Sequence, residues 1–228
     1  MTIRNNKGGF TLIELLIAMA ISTVVMTAIY SAYRSQLKSH ITQQKVVEMQ
    51  QNARAAMFVM EREIKMSGYD PDRSQDTEIT VADNNTITFT VSAISDGIDN
   101  DGDGDIDTAD SDGGEVQTIT YSLGGQDLQR NGAVVAENIQ VLDFIYLDEN
   151  RNLLGPTPLD TDNRDLIRSI QITLIARSGE NVAVMMMKHT DNKTYNNQQG
   201  DALLVNPNDS FRRVILTADV KCRNLGLN

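Results

Sequence analysis

The sequence predicts an α+β protein in which one long N-terminal helix packs on an antiparallel β-sheet domain. Residues 10–67 contain no proline or glycine, and the first third of this stretch is apolar on every side. After residue 70 the chain changes to short runs of β-branched and aromatic residues, separated by turn-forming residues. With 228 residues, the chain is long enough for one sizeable domain and an anchor.

The apolar run at residues 10–30 is long enough to cross a membrane, since about 20 apolar residues span the hydrocarbon core. Arg4 and Lys7 precede it and favour a cytoplasmic N-terminus. A secretory signal peptide is one interpretation, because residues 18–20 resemble a cleavage site, and a simple anchor is another. Neither explains Glu14, whose carboxylate costs roughly 2.5–3.5 kcal/mol in the membrane core. We expect no nearby partner for this carboxylate in the unprocessed chain.

A third interpretation follows from the string Lys7-Gly8-Gly9-Phe10-Thr11-Leu12-Ile13-Glu14. This string resembles the type III signal of type IV pilins and type II secretion pseudopilins. The resemblance implies that a membrane aspartyl peptidase, the prepilin peptidase, cuts between Gly9 and Phe10, and that Phe10 is then N-methylated. It also implies that Glu14 acts in assembly by pairing with the Phe10 amine of an adjacent subunit. The implied partners are this peptidase, other minor and major pilins or pseudopilins, and the inner membrane before assembly.

Beyond Tyr30 the predicted helix becomes amphipathic, and Gly68 followed by Pro71 gives its stop signal. Apolar residues recur every three to five positions, as expected for a helix with one buried stripe. The predicted stripe comprises Ile41, Val46, Met49, Ala53, Ala56, Met57, Met60 and Ile64.

Two further parts of the sequence sharpen the resemblance. The end of the helix looks like that of PilW-type minor pilins and J-type minor pseudopilins, and the closing strand is similar to that of the PilW type. These stretches are residues 52–56, 61–64 and 66–69, and residues 212–214 and 220–224. Many major pilins close a C-terminal loop with paired cysteines, whereas Cys222 stands alone here and is expected to be a small buried residue on a strand. The resemblance is therefore to a minor subunit.

About seven strands are predicted after the helix. They cover residues 77–82, 85–92, 116–123, 139–148, 166–178, 181–189 and 211–222. Gly124-Gly125 and Asn131-Gly132 are typical of hairpin turns. Three successive methionines at 185–187 would point to alternating faces of a strand, which favours a buried strand over a soft-metal site. Residues 190–210 are polar and rich in turn formers, and they are predicted to form a long surface loop.

Acidic residues are concentrated in one segment. The chain has a formal net charge of -11, and residues 96–115 hold eight Asp, one Glu and no Lys or Arg. Removing those nine negative charges leaves a net charge of -2. The acidity is therefore local, and the absence of a cationic cluster argues against a nucleic-acid partner.

Part of this segment, residues 99–110, fits the twelve-position calcium loop of an EF-hand. Gly104 stands at the sharp turn and Ile106 at the apolar anchoring position. The candidate ligands are Asp99, Asp101, Asp103, Asp105 (through its carbonyl), Asp107 and Asp110. Asp110 replaces the usual bidentate Glu, no helical pattern flanks the loop, and Asp96, Asp112 or Glu115 could replace one of these ligands. The alternative is a solvated acidic turn. We expect a structural Ca²⁺ that contributes folding free energy.

No arrangement of residues suggests catalysis. His40 lies in the helix and His189 at a strand end, and neither has the spacing of a zinc site or a catalytic triad. The carboxylates that could serve acid–base chemistry lie in the glycine-rich calcium pattern instead. The sequence therefore predicts a protein that is not an enzyme.

The leading interpretation is a minor pilin that is processed by the prepilin peptidase and acts at or near the fibre tip. Its predicted parts are a cytoplasmic leader (1–9), a transmembrane assembly helix (10–30), an amphipathic continuation (31–68) and a periplasmic or extracellular β-rich domain (69–228). The expected location is the inner membrane and then the fibre at the cell surface. A J-type pseudopilin of type II secretion, or a membrane-anchored calcium-binding adhesive module, remains an alternative.

Overall fold

The computed structural model describes residues 9–70, 77–92, 116–179 and 190–226. In chain order, the elements are α1 (Leu12–Ile64), β1 (Ile79–Ala82), β2 (Thr86–Ser92), β3 (Val116–Gly124), β4 (Asp127–Arg130), β5 (Ala133–Ala136), β6 (Ile139–Leu147), α2 (Thr161–Arg164), β7 (Ser169–Arg177), β8 (Tyr195–Asn196), β9 (Ala202–Leu204) and β10 (Arg213–Lys221). The chain separates into two units, Met1–Gln44 and Lys45–Asn228. Among the described residues, the buried apolar core lies in the second unit.

The part of α1 in the second unit packs on the β-sheets along the predicted stripe. Its buried residues are Met49, Ala53, Ala56, Met57, Met60 and Ile64, and Val46 is half-buried against the same core. These positions recur with the helical period, so one face of the helix removes its apolar side chains from water. The predicted fold class, a long helix packed on antiparallel β-structure, is confirmed.

Gly68 lies where the chain turns away from α1, as predicted. Its φ of +73° is a left-handed conformation that glycine adopts without steric cost. A Cβ at this position would lie 2.5 Å from Leu225 Cδ2, and the Gly68 N–H donates to the Thr90 carbonyl at 3.1 Å. The end of the helix therefore contacts both β2 and the C-terminal segment.

The strands β1 to β5 form one antiparallel sheet in sequence order. β1, β2 and β3 confirm the predicted strands, and Ser92 at the end of β2 is the register partner of Val116 at the start of β3. β4 and β5 are additional strands of four residues each. The turn residues Gly125, Asn131 and Gly132 have positive φ, as hairpin turns of this kind require.

The second sheet has the strand order β10-β7-β6 and is also antiparallel. All nine residues of the central strand β7 are buried. Ile170, Ile172, Leu174 and Ala176 belong to the apolar core that includes α1, whereas the alternate residues Ser169, Gln171, Thr173, Ile175 and Arg177 face the opposite side. We call this opposite side the outer face. β6, β7 and β10 confirm three predicted strands, while the predicted strand 181–189 lies outside the described residues.

Residues 190–210 are largely exposed, but they contain more structure than the predicted loop. β8 and β9 pair in a short hairpin, and Asp191 and Asp209 form an isolated antiparallel bridge. The helix α2 was not predicted. Its single turn is capped by Asp160, whose side chain accepts a hydrogen bond of 2.9 Å from the Asn163 N–H.

Cys222 is buried, as predicted, one residue beyond β10. Its Sγ lies 3.8 Å from the Ile64 carbonyl oxygen at the end of α1. Burial raises the pKa of this thiol to about 11, so it remains protonated at neutral pH. It acts as a small packing residue between the helix and the C-terminal segment.

Candidate functional site

The predicted cleavage residues lie immediately before α1 and are open to solvent. Phe10 is 93% exposed, and a Cβ added to Gly9 would meet no atom within 4 Å. A peptidase could therefore approach this peptide bond without displacing any described residue. Cleavage at Gly9 and methylation of Phe10 remain predictions.

The first turn of α1 holds Glu14 in a capping box with Thr11. The Thr11 N–H and the Thr11 hydroxyl both donate to Glu14 Oε2 at 2.8 Å, and the Glu14 N–H donates to Thr11 Oγ1 at 3.4 Å. Thr11 precedes the first helical residue, and Glu14 is the third residue of the helix. These are the two positions that satisfy otherwise unpaired N–H groups at a helix start.

The expectation that the unprocessed chain offers Glu14 no partner is therefore wrong. The carboxylate is satisfied locally, because the side chain bends back to the start of its own helix instead of reaching out laterally. The spacing Thr-x-x-Glu was visible in the sequence and is a known helix-start signal. The capping box also holds the negative charge near the positive end of the helix dipole. The assembly role of Glu14 remains a prediction.

After this first turn, α1 presents an apolar surface to its surroundings. It is the one helix in the described part of the chain that is long and apolar enough to cross a membrane. Its large exposed apolar side chains through residue 30 are Leu12, Ile13, Leu15, Leu16, Ile17, Met19, Ile21, Val24, Val25, Met26, Ile29 and Tyr30. An apolar run of this length is not typical of a protein surface in contact with water. A bilayer or a bundle of similar helices would cover it.

Two threonine hydroxyls within this apolar stretch are satisfied by the helix itself. The hydroxyls of Thr23 and Thr27 donate to the carbonyls of Met19 and Thr23, each at 2.8 Å. Tyr30 carries the guanidinium of Arg34 over its ring, 5.8 Å from the centroid. Tyrosine and arginine together are typical of the boundary between the hydrocarbon and the headgroups.

The predicted calcium ligands Asp99, Asp101, Asp103, Asp105, Asp107 and Asp110 lie outside the described residues. The chain enters and leaves their segment at Ser92 and Val116, which are neighbours in the sheet. Within the described ranges, no group of three or more His, Cys, Asp or Glu side chains could hold a metal ion. His40 is exposed on α1 and lies in no such group, and His189 lies outside the described residues.

Comparison with known proteins agrees with this arrangement. The sequence profile of the prokaryotic N-terminal methylation motif matches residues 4–30. A type IV-like pilin from Thermus thermophilus has a similar structure, with a TM-score of 0.51 and 16% sequence identity, over 77% of this chain and 97% of that chain. A search of curated proteins gave no match.

At 16% identity the structural likeness shows the fold alone, which is that of a type IV-like pilin. The profile adds an independent observation, because it covers the exposed Gly9–Phe10 bond and the Thr11–Glu14 capping box. The chain thus combines an N-terminal methylation motif with the fold of a type IV-like pilin.

Proposed function

We propose that this chain is a minor pilin, a non-catalytic subunit that takes part in type IV pilus assembly at or near the fibre tip. The observation that carries the proposal is the N-terminal arrangement: an accessible Gly9–Phe10 bond, a capped Glu14, and an apolar helix with no covering partner within the described chain. Cleavage would place a new cationic amine on Phe10, four residues before Glu14. Neighbouring helices could then pair amines with carboxylates away from water.

In this proposal the chain first resides in the inner membrane with Lys45–Asn228 on the periplasmic side. The prepilin peptidase cuts after Gly9 and Phe10 is methylated. The helix then leaves the lipid and enters a bundle of pilin helices, where its exposed apolar side chains are covered again. Because the subunit works through these contacts, no catalytic group is required.

The minor-subunit assignment is supported by the two stretches that resemble the PilW type. One lies at the end of α1 and the other at the two ends of β10. Cys222 Sγ, 3.8 Å from the Ile64 carbonyl oxygen, brings the two stretches into contact. A J-type pseudopilin of type II secretion would have the same N-terminus. Neighbouring genes separate the two assignments, since one predicts other pilus subunits beside this gene and the other predicts a secretion operon.

Co-expression with a prepilin peptidase tests the proposal, with the mature N-terminus read by mass spectrometry. The unmodified chain should begin at Phe10 and carry one methyl group on its amine. Gly9→Val should remain uncleaved, because the peptidase needs a small residue at its cut, while Gly9→Ala serves as the control that keeps the residue small. Since Gly9 has open space around it, the valine would not act through misfolding. An unmodified chain that stays uncleaved would favour a simple membrane-anchored module.

We also propose that residues 99–110 bind one structural Ca²⁺ through the six Asp residues named above. Carboxylate and carbonyl oxygens on alternate positions of a tight turn suit the six to eight oxygen ligands that Ca²⁺ takes. The 23 residues between Ser92 and Val116 must leave and re-enter the sheet at adjacent strands. A bound ion would offset both the repulsion among the carboxylates and the entropy lost on closing this loop.

A further inference from the structure

Residues 191–209, here called the flap, cover the outer face of the three-stranded sheet. The base of the flap is closed by the bridge between its two ends. The Asp191 N–H donates to the Asp209 carbonyl at 2.7 Å, and the Asn208 N–H donates to the Asp191 carbonyl at 2.9 Å. Between these ends, β8 and β9 make a short hairpin. The flap is therefore a closed loop with a defined base.

A buried ion cluster fastens this base to the first residue of β10. The side chain of Arg213 is fully buried, and that of Asp191 is 3% exposed. Arg213 Nη1 donates to Asp191 Oδ2 at 2.9 Å and to Asp209 Oδ1 at 2.7 Å, and Nη2 donates to Asp209 Oδ2 at 2.5 Å. Tyr195 from β8 adds a hydrogen bond of 2.8 Å to Asp191 Oδ2. We call Asp191, Asp209 and Arg213 the latch.

Further contacts hold the hairpin end of the flap on the outer face, and they are polar. Asn197 Nδ2 donates to Asp143 Oδ2 of β6 at 3.3 Å, and Gln199 Nε2 donates to Gln171 Oε1 of β7 at 2.8 Å. Gln198 Nε2 donates to the Ala218 carbonyl of β10 at 2.9 Å. Each of the three strands of the sheet thus accepts a hydrogen bond from the flap through a carboxylate or amide oxygen.

The flap contributes no residue to the apolar core of the described chain. Its two buried residues are Asp191 and Asn197, both polar, while Leu203 and Leu204 are half-buried and Val205 is exposed. Beneath it, the hydroxyl of Thr173 is buried without a hydrogen-bond partner in the described structure. Lifting the flap would bring these polar groups and the apolar side chain of Ile175 on the outer face to water, while the apolar core around α1 stays covered. Regions with few buried apolar contacts open at low free-energy cost.

We propose that the flap opens as one unit while α1 and both sheets stay folded, and that the latch controls this opening. Each latch carboxylate shares the same buried guanidinium, so losing Arg213 releases both ends of the flap at once. A buried charge left without its partner is strongly destabilising, which makes the latch the strongest single attachment of the flap. The inference concerns the chain alone and holds whether or not the protein enters a fibre.

Hydrogen exchange of the full-length chain in detergent micelles, followed by mass spectrometry of peptides, tests this inference. In Arg213→Gln, amide exchange across residues 191–209 should rise at least about tenfold, since a hydrogen-bonded charge pair has been removed. Exchange in the core strand β7 should stay within about twofold of the unmodified protein. Arg151→Gln is the matched control, because Arg151 pairs with Asp219 on the same sheet but is 60% exposed. It should leave the flap protected.

Unchanged flap exchange in Arg213→Gln would overturn the proposal, and so would an equal rise in β7, because the flap would then not be a separate unit.

A second variant tests whether the latch acts by holding the flap closed. In Arg213→Gln combined with Asp191→Cys and Asp209→Cys, a disulfide joins the two bridge positions. Flap protection should return when the disulfide forms and be lost again on reduction. Failure to restore protection in the oxidised form would show that Arg213 does not act by closing the flap.

Discussion

Glu14 is held by Thr11 at the start of α1, and this contact changes how its role in assembly should be tested. The carboxylate accepts two hydrogen bonds from one residue, so it can rest in an isolated subunit without a second chain. Two hydrogen bonds do not neutralise its charge, however, and a charge in an apolar bundle still favours a cation nearby. Thr11 thus serves as the local partner, while an amine would serve as the partner in a fibre.

This distinction leads to a prediction for Glu14→Ala and Thr11→Val. Glu14→Ala should be cleaved normally but enter fibres at roughly a tenth of the usual level or less, because about 1.4 kcal/mol of lost pairing is a tenfold change. Thr11→Val keeps the Thr11 N–H and the carboxylate, so it should be incorporated at a level closer to that of the unmodified chain. Immunoblots of sheared fibres give the incorporation, and mass spectrometry gives the cleavage. Normal incorporation of Glu14→Ala would contradict the pairing.

At the scale of the elements, α1 and the five-stranded sheet are joined by hydrogen bonds to Glu63 in addition to their apolar packing. Glu63 Oε2, near the end of α1, accepts from Tyr121 OH of β3 at 2.7 Å and from Arg130 Nε of β4 at 2.8 Å. Burial, followed by the hydrogen bond to Glu63, raises the pKa of Tyr121 well above its usual range. The three groups fix which turn of the helix faces these strands.

Removing this charge should weaken the domain measurably. We expect Glu63→Gln to lower the free energy of unfolding by about 1–2 kcal/mol, the difference between charge-assisted and neutral hydrogen bonds. Glu48→Gln, on the same helix, removes a pair with Lys45 in which both side chains are about half exposed, and it should cost less than about 0.5 kcal/mol. Chemical denaturation monitored by circular dichroism measures both values. Equal effects would mean that Glu63 contributes no more than a surface pair.

The latch should also make the flap sensitive to acid. Burial acts to raise the pKa of Asp191, but hydrogen bonds from Tyr195 and Arg213 outweigh it, and the pKa falls below its ordinary value of 3.8. Hydrogen bonding from Arg213 likewise lowers the pKa of Asp209, with a smaller contribution from the charge of Arg177. A depressed pKa stabilises the folded form above the ordinary value, and this stabilisation is lost as the pH falls below it.

On the sheet side of the flap, the pKa of Asp143 is shifted in the opposite direction. Burial, with a further contribution from Asp201, raises the pKa of Asp143 above 3.8, so protonation of Asp143 favours the closed flap. Flap protection, corrected for intrinsic exchange rates, should therefore increase slightly as the pH falls toward 4 and decrease below about pH 3.8. In Arg213→Gln the decrease should disappear. A steady loss of protection from neutral pH downward would contradict this assignment of groups.

For the whole molecule, the calcium proposal links a local loop to global stability. The unmodified full-length chain should gain about 2.7 kcal/mol of stability at a free calcium concentration 100 times the Kd, which calorimetry detects as a higher Tm. Asp101→Ala with Asp103→Ala should abolish that gain and leave the Tm without calcium unchanged or slightly higher. Asp162→Ala with Asp165→Ala removes two exposed charges elsewhere, and it should keep the gain. A Tm that is independent of calcium in the unmodified chain would overturn the proposal.

The sequence predicted those elements whose residues repeat with a clear period. Met49 to Ile64 repeat at helical spacing, and strands such as β7 are long enough to show their apolar character. β4 and β5 were missed because neither DLQR nor AVVA alternates apolar and polar residues, whereas the equally short β1 does so at Ile79, Thr80 and Val81. The latch was also missed, since Asp191 and Arg213 are 22 residues apart and only the folded chain brings them together.

The start of α1 was predicted correctly in position but not in its chemistry. Gly9, Phe10 and Glu14 stand at the helix start, as the motif indicated. The continuous apolar run favoured a membrane interpretation of this stretch, and that interpretation obscured the capping box formed by Thr11 and Glu14. The Thr11–Glu14 pair is compatible with a capping box and with a membrane helix, because the N–H groups at a helix start need hydrogen-bond partners in water and in lipid alike.

The direct pairing of Ser92 with Val116 has a consequence for protein engineering. Seven register pairs, from Thr86–Ser122 to Ser92–Val116, set the pairing of β2 with β3. We therefore expect this register to persist when the 23 residues between Ser92 and Val116 are changed. Replacing all of them with Asn-Gly would leave a two-residue hairpin of the favoured kind. The same junction could equally accept an epitope, a metal-binding peptide or a small folded domain. It provides an attachment point on the β-domain that is independent of the N-terminal motif.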